Sequence, residues 1–316
     1  MTGGTGTAVA PSTPADTSIA GWIRLASRRL ARGGANGKLY FGHGALNAAD
    51  EAAWIAAHAC RLSPLRLGAH LERPMRPVER RRADVIAAER IDSRKPLAYL
   101  LGEAWLSGLR FAVDERVIVP RSFISELLPD ELSPWIGSSG AVKSALDLCT
   151  GSGCLAILAA RAWPRAKVDA IDLSPEALAV ARDNIRRHRL EGRVRALQSD
   201  LFAGVDGVRP KRYQVMLSNP PYVDTAAMHA LPAEYRREPR LALAGGRDGL
   251  HLVKKILRGA ARHLAHDGVL VMEIGHNRRA LERAFPRTPF MWMDTSAGPD
   301  MVFLLAAADL PHAAGT

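Results

Sequence analysis

Apolar residues in the first hundred positions recur with helical spacing. Residues 16–33, 46–62 and 77–94 each carry apolar side chains three and four positions apart, and each run begins near a capping or helix-initiating residue. A strand would place its apolar side chains at every second position instead. The spacing therefore predicts three amphipathic helices.

The pattern changes after residue 100. Residues 104–114 hold two short apolar runs on either side of Ser107-Gly108, which predicts a hairpin. Residues 116–121 have the pattern of a strand that stops at Pro120, because proline lacks the N–H that a sheet needs. A helix followed by a loop is expected over residues 125–140.

From residue 141 onward, strand patterns and helix patterns alternate. The predicted strands cover residues 144–149, 166–173, 194–200, 213–219, 268–275, 290–294 and 300–305. The predicted longer helices cover residues 153–163, 174–190 and 249–268. This alternation predicts an α/β domain with a largely parallel sheet covered by helices. We expect a disordered lead (1–17), a helical domain (18–100), a linker hairpin (101–122), the α/β domain (123–306) and a tail (307–316).

Charge and cysteine content indicate which partners and which cellular compartment the protein could have. Lysine plus arginine outnumber aspartate plus glutamate by 43 to 32, which favours an acidic or nucleic-acid-rich partner but fits the arginine preference of a GC-rich genome equally well. Three cysteines with no cysteine–histidine cluster argue against a disulfide framework and a metal site, and for a reducing compartment. With no secretory signal and no apolar run of roughly 18 residues, we expect a cytoplasmic protein without a membrane partner.

A glycine turn follows the first strand of the predicted α/β domain. Gly151 and Gly153 permit a positive φ and close approach of a ligand to the backbone, and the next helix offers free N–H groups. With Ala156 they form G-x-G-x-x-A, so a nicotinamide dinucleotide is one possible ligand of this turn. Asp147 counts against it, because its carboxylate would repel a pyrophosphate but attract a cationic ligand.

Three successive strands end in acidic residues, Asp147, Asp172 and Asp200. Ligands of open α/β sheets bind at the carboxyl ends of the strands. Asp172 stands where an acid takes ribose hydroxyls, and Asp200 suits the edge of an adenine. S-adenosylmethionine carries an ammonium and a sulfonium and no phosphate, so it fits this row of acids better than a dinucleotide does.

The sequence Asn219-Pro220-Pro221-Tyr222 follows the fourth strand. The prolines restrict the loop and contribute no competing N–H. The Asn219 side-chain oxygen and the Pro220 carbonyl can accept both N–H groups of a planar –NH2, and Tyr222 can lie flat against it. Such contacts position a poorly nucleophilic nitrogen and offset the charge that develops during methyl transfer. The acceptor is then an amide or a nucleobase, and the proton can leave to water without a general base.

These motifs together resemble a known family. "DLCTGSG" (147–153), "IDLS" (171–174), "SDLF" (199–202) and "LSNPPYV" (217–223) resemble the class I S-adenosylmethionine methyltransferases, which have a Rossmann-like, mostly parallel seven-stranded sheet. "EPRLALAGGRDGL" (238–250) and "VMEIG" (271–275) look like later signatures of the branch that methylates glutamine side-chain amides in proteins. The resemblance covers residues from about 20 to 305, and the N-terminal half is similar to enzymes that modify ribosomal protein L-three rather than peptide release factors.

The resemblance implies partners and residue roles. The substrate would be ribosomal protein L-three, free or in an assembling large subunit, with contact to ribosomal RNA left open. Residues expected to hold the methionine part are Asp147, Thr150, Gly151, Ser152 and Gly153. Asp172 would hold the ribose, Asp200 and Leu201 would line the adenine, and Asn219 would also border the cofactor. Asn219, Pro220, Pro221 and Tyr222 would bind the glutamine amide, with Asn219, Pro220 and Tyr222 acting in catalysis. Leu201 stands where the release-factor branch often has an aromatic residue, which puts stacking on the adenine in question.

Some alternatives remain open at this stage. Arg121 fits either the mouth of the cofactor site or an ion pair between domains, and His43 fits either a structural role or substrate contact. The rival functions are amino-methylation of a ribosomal RNA base, glutamine methylation of release factors, a non-catalytic role in ribosome assembly and a nicotinamide oxidoreductase. The N-terminal helical domain is expected to recognise the substrate.

Overall fold

The computed structural model describes residues 16–128, 130–206 and 211–310. Most of the expected disordered lead and tail lies outside these described residues. The chain divides into two compact units: the described residues up to 39 with 45–93, and residues 40–44 with the described residues from 94 onward. No helix of the described chain is long and apolar enough to cross a membrane.

The first unit is helical. It contains α1 (Ile19–Arg32), α2 (Ala48–Ala59) and α3 (Pro77–Ser93), with a 3₁₀ segment, Pro64–His70, between α2 and α3. The Asn47 side chain caps α2 by accepting hydrogen bonds from the N–H groups of Ala49 and Asp50. All three predicted helices are confirmed, with ends that move by at most three residues.

The first helix of the second unit is α4 (Leu97–Leu101), which the sequence pattern did not predict. A hairpin formed by β1 (Glu103–Leu106) and β2 (Leu109–Ala112) follows it. Leu106 pairs with Leu109 across the turn, as the hairpin prediction requires. Ser107 and Gly108 both have positive φ, the conformation that suits a two-residue turn between twisted strands.

The strand predicted over residues 116–121 is wrong. Val117 and Val119 are buried, which produced the strand-like pattern, but their backbone groups bond to side chains. The Tyr99 hydroxyl donates to the Val117 carbonyl at 2.5 Å, and the Val119 N–H donates to Glu238 Oε1 at 2.9 Å. Because side chains occupy these backbone groups, the segment forms no strand.

The α/β part supplies the remaining elements in chain order. Two short helices, α5 (Ile124–Leu127) and α6 (Ser133–Ile136), precede the sheet. The sheet and its helices are β3 (Ser144–Leu148), α7 (Cys154–Ala162), β4 (Lys167–Asp172), α8 (Pro175–Arg187), β5 (Val194–Gln198), β6 (Tyr213–Ser218), α9 (Thr225–Ala230), α10 (His251–His263), β7 (Leu264–Glu273), α11 (Arg278–Ala284), β8 (Met291–Met293) and β9 (Val302–Ala306). The seven predicted strands of the sheet are confirmed, whereas α9 was not predicted.

One boundary was misplaced within this part. The helix predicted to run to residue 268 ends at His263, and Leu264 already pairs with Tyr213 of β6. The next paired residues are Val215 and Val269, so β7 contributes more residues than β6 to this stretch. The polar residues of this bulge resemble the end of a helix followed by a turn, which concealed the early start of the strand.

The sheet order is β5-β4-β3-β6-β7-β9-β8. Every neighbouring pair up to β7 is parallel, and β9 is antiparallel to both β7 and β8, which confirms the mostly parallel seven-stranded sheet. The chain builds outward from β3 in one direction and from β6 in the other. Ligands of open α/β sheets bind at the carboxyl ends of the strands beside such a reversal, which locates the functional site.

Candidate active site

A cavity lies at the carboxyl ends of β3, β4, β5 and β6, beside the reversal in strand order. Six of the residues predicted from the sequence line it: Gly151, Asp172, Asp200, Leu201, Asn219 and Pro221. Residues that the sequence analysis did not assign to the site complete the lining, among them Arg116–Ile118, Pro239, Leu241 and Ala242. The other predicted residues, Asp147, Thr150, Ser152, Gly153, Pro220 and Tyr222, stand close in sequence to lining residues but do not themselves line the cavity.

Asp147 is a fully buried acid in the otherwise apolar strand β3. Its Oδ2 accepts hydrogen bonds from the Thr150 hydroxyl at 2.5 Å and from the Ala156 N–H at 3.0 Å. Its Oδ1 has no donor within the described chain. Burial raises the pKa of Asp147 to about 7, while the two donors act in the opposite direction. A cationic group at Oδ1 would compensate the carboxylate for the water it has lost.

The two glycines of the turn serve different purposes. Gly151 has φ +54°, and a Cβ there would meet no atom within 4 Å, so its backbone lies open beside the cavity that it lines. Gly153 has φ +79°, and a Cβ there would lie 3.3 Å from the Ala181 Cα of α8. The Ser152 carbonyl accepts a hydrogen bond from Asn184 Nδ2 at 2.9 Å. Ser152 and Gly153 therefore pack the turn against α8, and Gly151 gives a ligand access to the backbone.

Asp172 ties the end of β4 to the glycine turn. Its Oδ2 accepts from the Gly151 N–H at 2.8 Å and its Oδ1 from the Ser174 N–H at 2.9 Å. Burial raises the pKa of Asp172, and these backbone donors offset part of that rise. Each carboxylate oxygen keeps a further lone pair, so Asp172 can still accept hydrogen bonds from ligand hydroxyls.

The turn after β5 places Asp200 and Leu201 in the cavity wall. Asp200 is exposed, and Leu201 adopts a positive φ of 48°. The Ser199 hydroxyl donates to the Leu201 carbonyl at 2.9 Å and accepts from the Gly204 N–H at 2.6 Å. These bonds hold the turn so that it presents an acid and an apolar side chain side by side.

The loop after β6 presents a polar side chain and an apolar one. Asn219 and Pro221 line the cavity, and the Asn219 side-chain amide makes no hydrogen bond with the described part of the chain. Tyr222 is held from both ends: its hydroxyl donates to Glu273 Oε1 at 3.1 Å, and its carbonyl accepts from Asn277 Nδ2 at 2.7 Å. Burial, with the neighbouring Glu273 carboxylate, raises the pKa of the Tyr222 hydroxyl.

Three glycines from the later signatures surround Tyr222. A Cβ at Gly245 would lie 2.7 Å from the Tyr222 Cα, one at Gly249 would lie 2.5 Å from its carbonyl oxygen, and one at Gly275 would lie 2.6 Å from its ring. Real Cβ atoms do not come this close to other atoms. The glycines therefore give Tyr222 the space in which its backbone and ring are fixed, a function that the resemblance did not specify.

Glu273 is a site residue that the sequence reading did not single out. It is buried at the end of β7, and its Oε2 accepts from the Ser122 hydroxyl at 2.7 Å and from the Phe123 N–H at 2.9 Å. Burial raises its pKa. The available signal was a single acid inside the apolar run "GVLVMEIG", since a buried acid needs several donors.

Arg121 forms an ion pair, and its partner lies within the same unit rather than across a domain boundary. It donates to both carboxylate oxygens of Glu238, at 2.5 and 2.6 Å. Glu238 also accepts the Val119 N–H at 2.9 Å. Ile118 and Pro239, the respective neighbours of Val119 and Glu238, both line the cavity. The buried Glu238 therefore fastens two walls of the cavity together.

His43 occupies a buried position beside the same carboxylate. Its Nε2 lies 3.8 Å from Glu238 Oε2, and its ring centroid lies 4.3 Å from that of Tyr235. Two residues of this region, His43 and Arg121, thus converge on Glu238. This burial supports the structural reading of His43, because a buried ring is not presented to a substrate.

The chain is similar to known proteins over most of its length. Residues 125–234 match the family model described as methyltransferase small domain, and residues 42–102 match that described as PrmC N-terminal domain. A Burkholderia pseudomallei protein named ribosomal protein uL3 glutamine methyltransferase is 49% identical over 282 residues, which cover 88% of this chain and 92% of that protein. Proteins of the same name from Bordetella pertussis and Neisseria meningitidis serogroup A are 49% and 46% identical, covering 86% and 93% of this chain and 91% and 94% of theirs.

Proposed function

This chain belongs to the family of ribosomal protein uL3 glutamine methyltransferases, and we propose that it methylates the side-chain amide nitrogen of a glutamine in ribosomal protein uL3. The methyl donor in this proposal is S-adenosylmethionine, and the protein acts in the cytoplasm, where ribosomes assemble. One observation carries the proposal: Asn219, Gly151 and Asp172 line the same cavity. The Asn219 side-chain amide makes no hydrogen bond with the described chain, so it can bind a substrate amide.

The residues around the cavity fit S-adenosylmethionine. Asp147 Oδ1 is a buried acceptor with no donor among the described residues, which suits the ammonium of the methionine part. Gly151 leaves its backbone open, and Asp172 keeps lone pairs for the ribose hydroxyls. Asp200 and Leu201 line the cavity, and in this proposal they contact the adenine. When bound, this cofactor supplies a methyl group on a positively charged sulfur.

The chain's own contribution is to position the acceptor nitrogen. An amide nitrogen is a poor nucleophile because its lone pair is delocalised into the carbonyl. The Asn219 side-chain oxygen and the Pro220 carbonyl would accept its two N–H groups, which orients the nitrogen and offsets the positive charge that grows on it. The loop can do this with little reorganisation because Glu273 and Asn277 hold Tyr222.

No residue of the loop is proposed as a general base. The Tyr222 hydroxyl already donates to Glu273 and its pKa is raised, so it does not readily give up or take a proton near neutral pH. The methylated amide becomes acidic once the methyl group has been transferred. The proton can then leave to water, as predicted from the sequence.

The proposal is tested by transfer of labelled methyl groups from S-adenosylmethionine to purified uL3, a peptide release factor and ribosomal RNA. We expect label on one glutamine of uL3, with kcat reduced at least about a hundredfold in Asn219→Ala, because a lost transition-state contact typically has an effect of that size. Label on the release factor would overturn the substrate assignment. Label on RNA would overturn the class of acceptor.

A further inference from the structure

A basic groove lies at the end of the sheet opposite the cavity. Its cations are Lys167, Arg182, Arg186, Arg193, Arg195 and Lys211, and its acids are Asp169 and Glu191. Lys167 begins β4 and Asp172 ends it, so the groove and the cavity are separated along this strand by roughly 17 Å, at about 3.3 Å per residue. The groove is therefore a separate surface of the second unit.

The two acids of the groove, Asp169 and Glu191, are too few to neutralise its six cations. Asp169 is buried and is shared by two of them: it accepts from Arg195 Nε at 3.0 Å and from Lys211 Nζ at 2.8 Å. Outside the groove, Asp183 is likewise shared by Arg186 and Arg187. Each shared carboxylate leaves one positive charge uncompensated.

Other cations of the groove have neutral partners or none. Lys167 Nζ donates to the Gly192 carbonyl at 2.6 Å, and the Arg193 guanidinium donates to three backbone carbonyls, which carry no net charge. Arg182 is exposed and makes no hydrogen bond or ion pair with the described residues. The groove consequently keeps a strong positive field that extends into solvent.

These contacts also hold several of the cations in place. The buried Asp169 carboxylate orients Arg195, whose side chain is still 61% exposed, and three carbonyls orient Arg193. Arg182 and Arg186 stand one turn apart on the exposed face of α8. Cations fixed before binding lose less conformational entropy when an anionic partner arrives. The groove is therefore partly preorganised for binding several anionic groups.

The residues lining the groove indicate which anionic partner it fits. No aromatic side chain is among the described residues that line it, so these residues offer no surface on which unpaired bases could stack. Arginines and lysines without aromatics are typical of contacts to phosphates, which fix position without reading sequence. We propose that the basic groove binds the phosphate backbone of structured RNA. The choice of RNA over other polyanions rests on the proposed function, since the methyl acceptor is a protein destined for the ribosome.

The test measures binding of a fluorescein-labelled RNA hairpin of about 20 base pairs by anisotropy over a series of KCl concentrations. The groove variant is Arg182→Glu with Arg186→Glu. The matched control is Lys255→Glu with Arg258→Glu, which makes the same change in net charge at exposed positions of α10. We expect the groove variant to weaken binding at least tenfold and to lower the salt slope by about two, and the control to weaken it less than threefold.

Several outcomes would overturn the proposal. Equal losses of hairpin affinity in both variants would show that binding depends on overall charge rather than on the groove. If the unchanged protein did not bind the hairpin, the groove would not be an RNA-binding surface. Preferential binding to phosphatidylserine vesicles, lost in the groove variant, would assign the groove to a membrane surface instead. A second variant, Arg182→Gln with Arg186→Gln, should fall between the unchanged protein and the charge reversal, with an unchanged thermal unfolding midpoint.

Methylation of free uL3 separates this proposal from the proposed function. The groove variant should methylate free uL3 at a rate within twofold of the unchanged protein, because the substitutions lie at the far end of the sheet from the cavity. Loss of that methylation with unchanged thermal unfolding would show that the groove binds the protein substrate, and would overturn the RNA proposal. Failure of the unchanged protein to methylate uL3, with hairpin binding lost only in the groove variant, would overturn the function and leave the phosphate-binding groove standing.

Discussion

A buried carboxyl group keeps its charge only where donors or cations replace the water it has lost. Asp147 and Asp172 meet this need differently. Asp172 has a backbone donor on each oxygen, whereas both donors that the described chain supplies to Asp147 are on Oδ2 and none is on Oδ1. A ligand cation that reached Asp147 Oδ1 would therefore favour the ionised form of this carboxyl group.

This asymmetry predicts how cofactor affinity changes with pH. The pKa of Asp147 is raised to about 7, so the carboxyl is mostly protonated below that pH and cannot pair with an ammonium. We expect S-adenosylmethionine to bind roughly tenfold more tightly at pH 6.5 than at pH 5.5, and the dependence to flatten above pH 7, because one proton must be lost before binding. Isothermal titration calorimetry at a series of pH values measures this slope.

Asp147→Asn is the control for the pH prediction, because it keeps the shape of the side chain and removes its titration. The variant should bind the cofactor more weakly and with little dependence on pH between 5.5 and 6.5. Asp172 lines the cavity itself and has a raised pKa, and Asp200 lines the cavity as well. If the variant kept the full slope of the unchanged protein, one of these other groups would be responsible and the prediction would be wrong.

Residues of the site differ in how far the sequence could reveal them. Asp147, Asp172 and Asn219 could be predicted because each stands at the end of a recognisable strand, and parallel strands end at one edge of a sheet. The contacts of Glu273 and Glu238 could not, because their partners Tyr222 and Arg121 lie 51 and 117 positions away in the chain. The single acid in the apolar run around Glu273 indicates a buried carboxyl group but not its partner. Nothing in the local sequence reports a contact over that distance.

At the scale of elements, the loop after β6 is shaped by glycines in two other segments. Gly275 follows β7 and lies under the Tyr222 ring, and Gly245 and Gly249 precede α10 and contact the Tyr222 backbone. The strand wrongly predicted over residues 116–121 illustrates the same dependence on distant segments. Its apolar pattern was read correctly, but the Glu238 carboxylate and the Tyr99 hydroxyl occupy the backbone groups that a sheet partner would need.

The glycine beneath Tyr222 gives a prediction with an internal control. Alanine at Gly275 requires a positive φ of 55° and places a Cβ 2.6 Å from the ring, whereas alanine at Gly102 requires a similar φ of 66° and meets no atom within 4 Å. Both variants should lose about 1 kcal/mol of unfolding free energy from the backbone strain. Only Gly275→Ala should also displace Tyr222, and we expect its kcat for methyl transfer to fall at least tenfold.

Urea unfolding and steady-state methylation of uL3 separate these two effects. The Gly102→Ala variant measures how much unfolding free energy is lost through backbone strain alone. If Gly102→Ala lost as much kcat as Gly275→Ala, the activity would depend on general stability rather than on the position of Tyr222. Equal and unchanged kcat values in both variants would show that the ring can move without affecting the reaction.

At the scale of the whole molecule, the two compact units are interleaved along the chain. Residues 40–44 belong to the second unit although the residues before and after them belong to the first. The Tyr40 N–H donates to Glu234 at 3.0 Å, and the His43 ring lies against Tyr235 and near Glu238. Truncation at residue 93 would therefore remove part of the second unit along with the first.

Substrate choice by the first unit is best tested by exchanging it rather than deleting it. In the chimera, residues 16–39 and 45–93 are replaced by the corresponding segments of a release-factor glutamine methyltransferase, and residues 40–44 are kept so that Glu234 and Glu238 retain their contacts. If the first unit recognises the substrate, the ratio of kcat/KM for uL3 to that for the release factor should fall at least tenfold. Methylation assays with both proteins measure this ratio.

A second chimera that also exchanges residues 40–44 is the control for the integrity of the second unit. It should unfold at a lower temperature than the first chimera if its foreign segment does not reproduce the Tyr40 and His43 contacts, and its kcat should fall on both substrates alike. A first chimera that still preferred uL3 would place substrate choice in the second unit. Because Glu238 fastens two walls of the cavity there, residues 235–242 would then be the next segment to exchange.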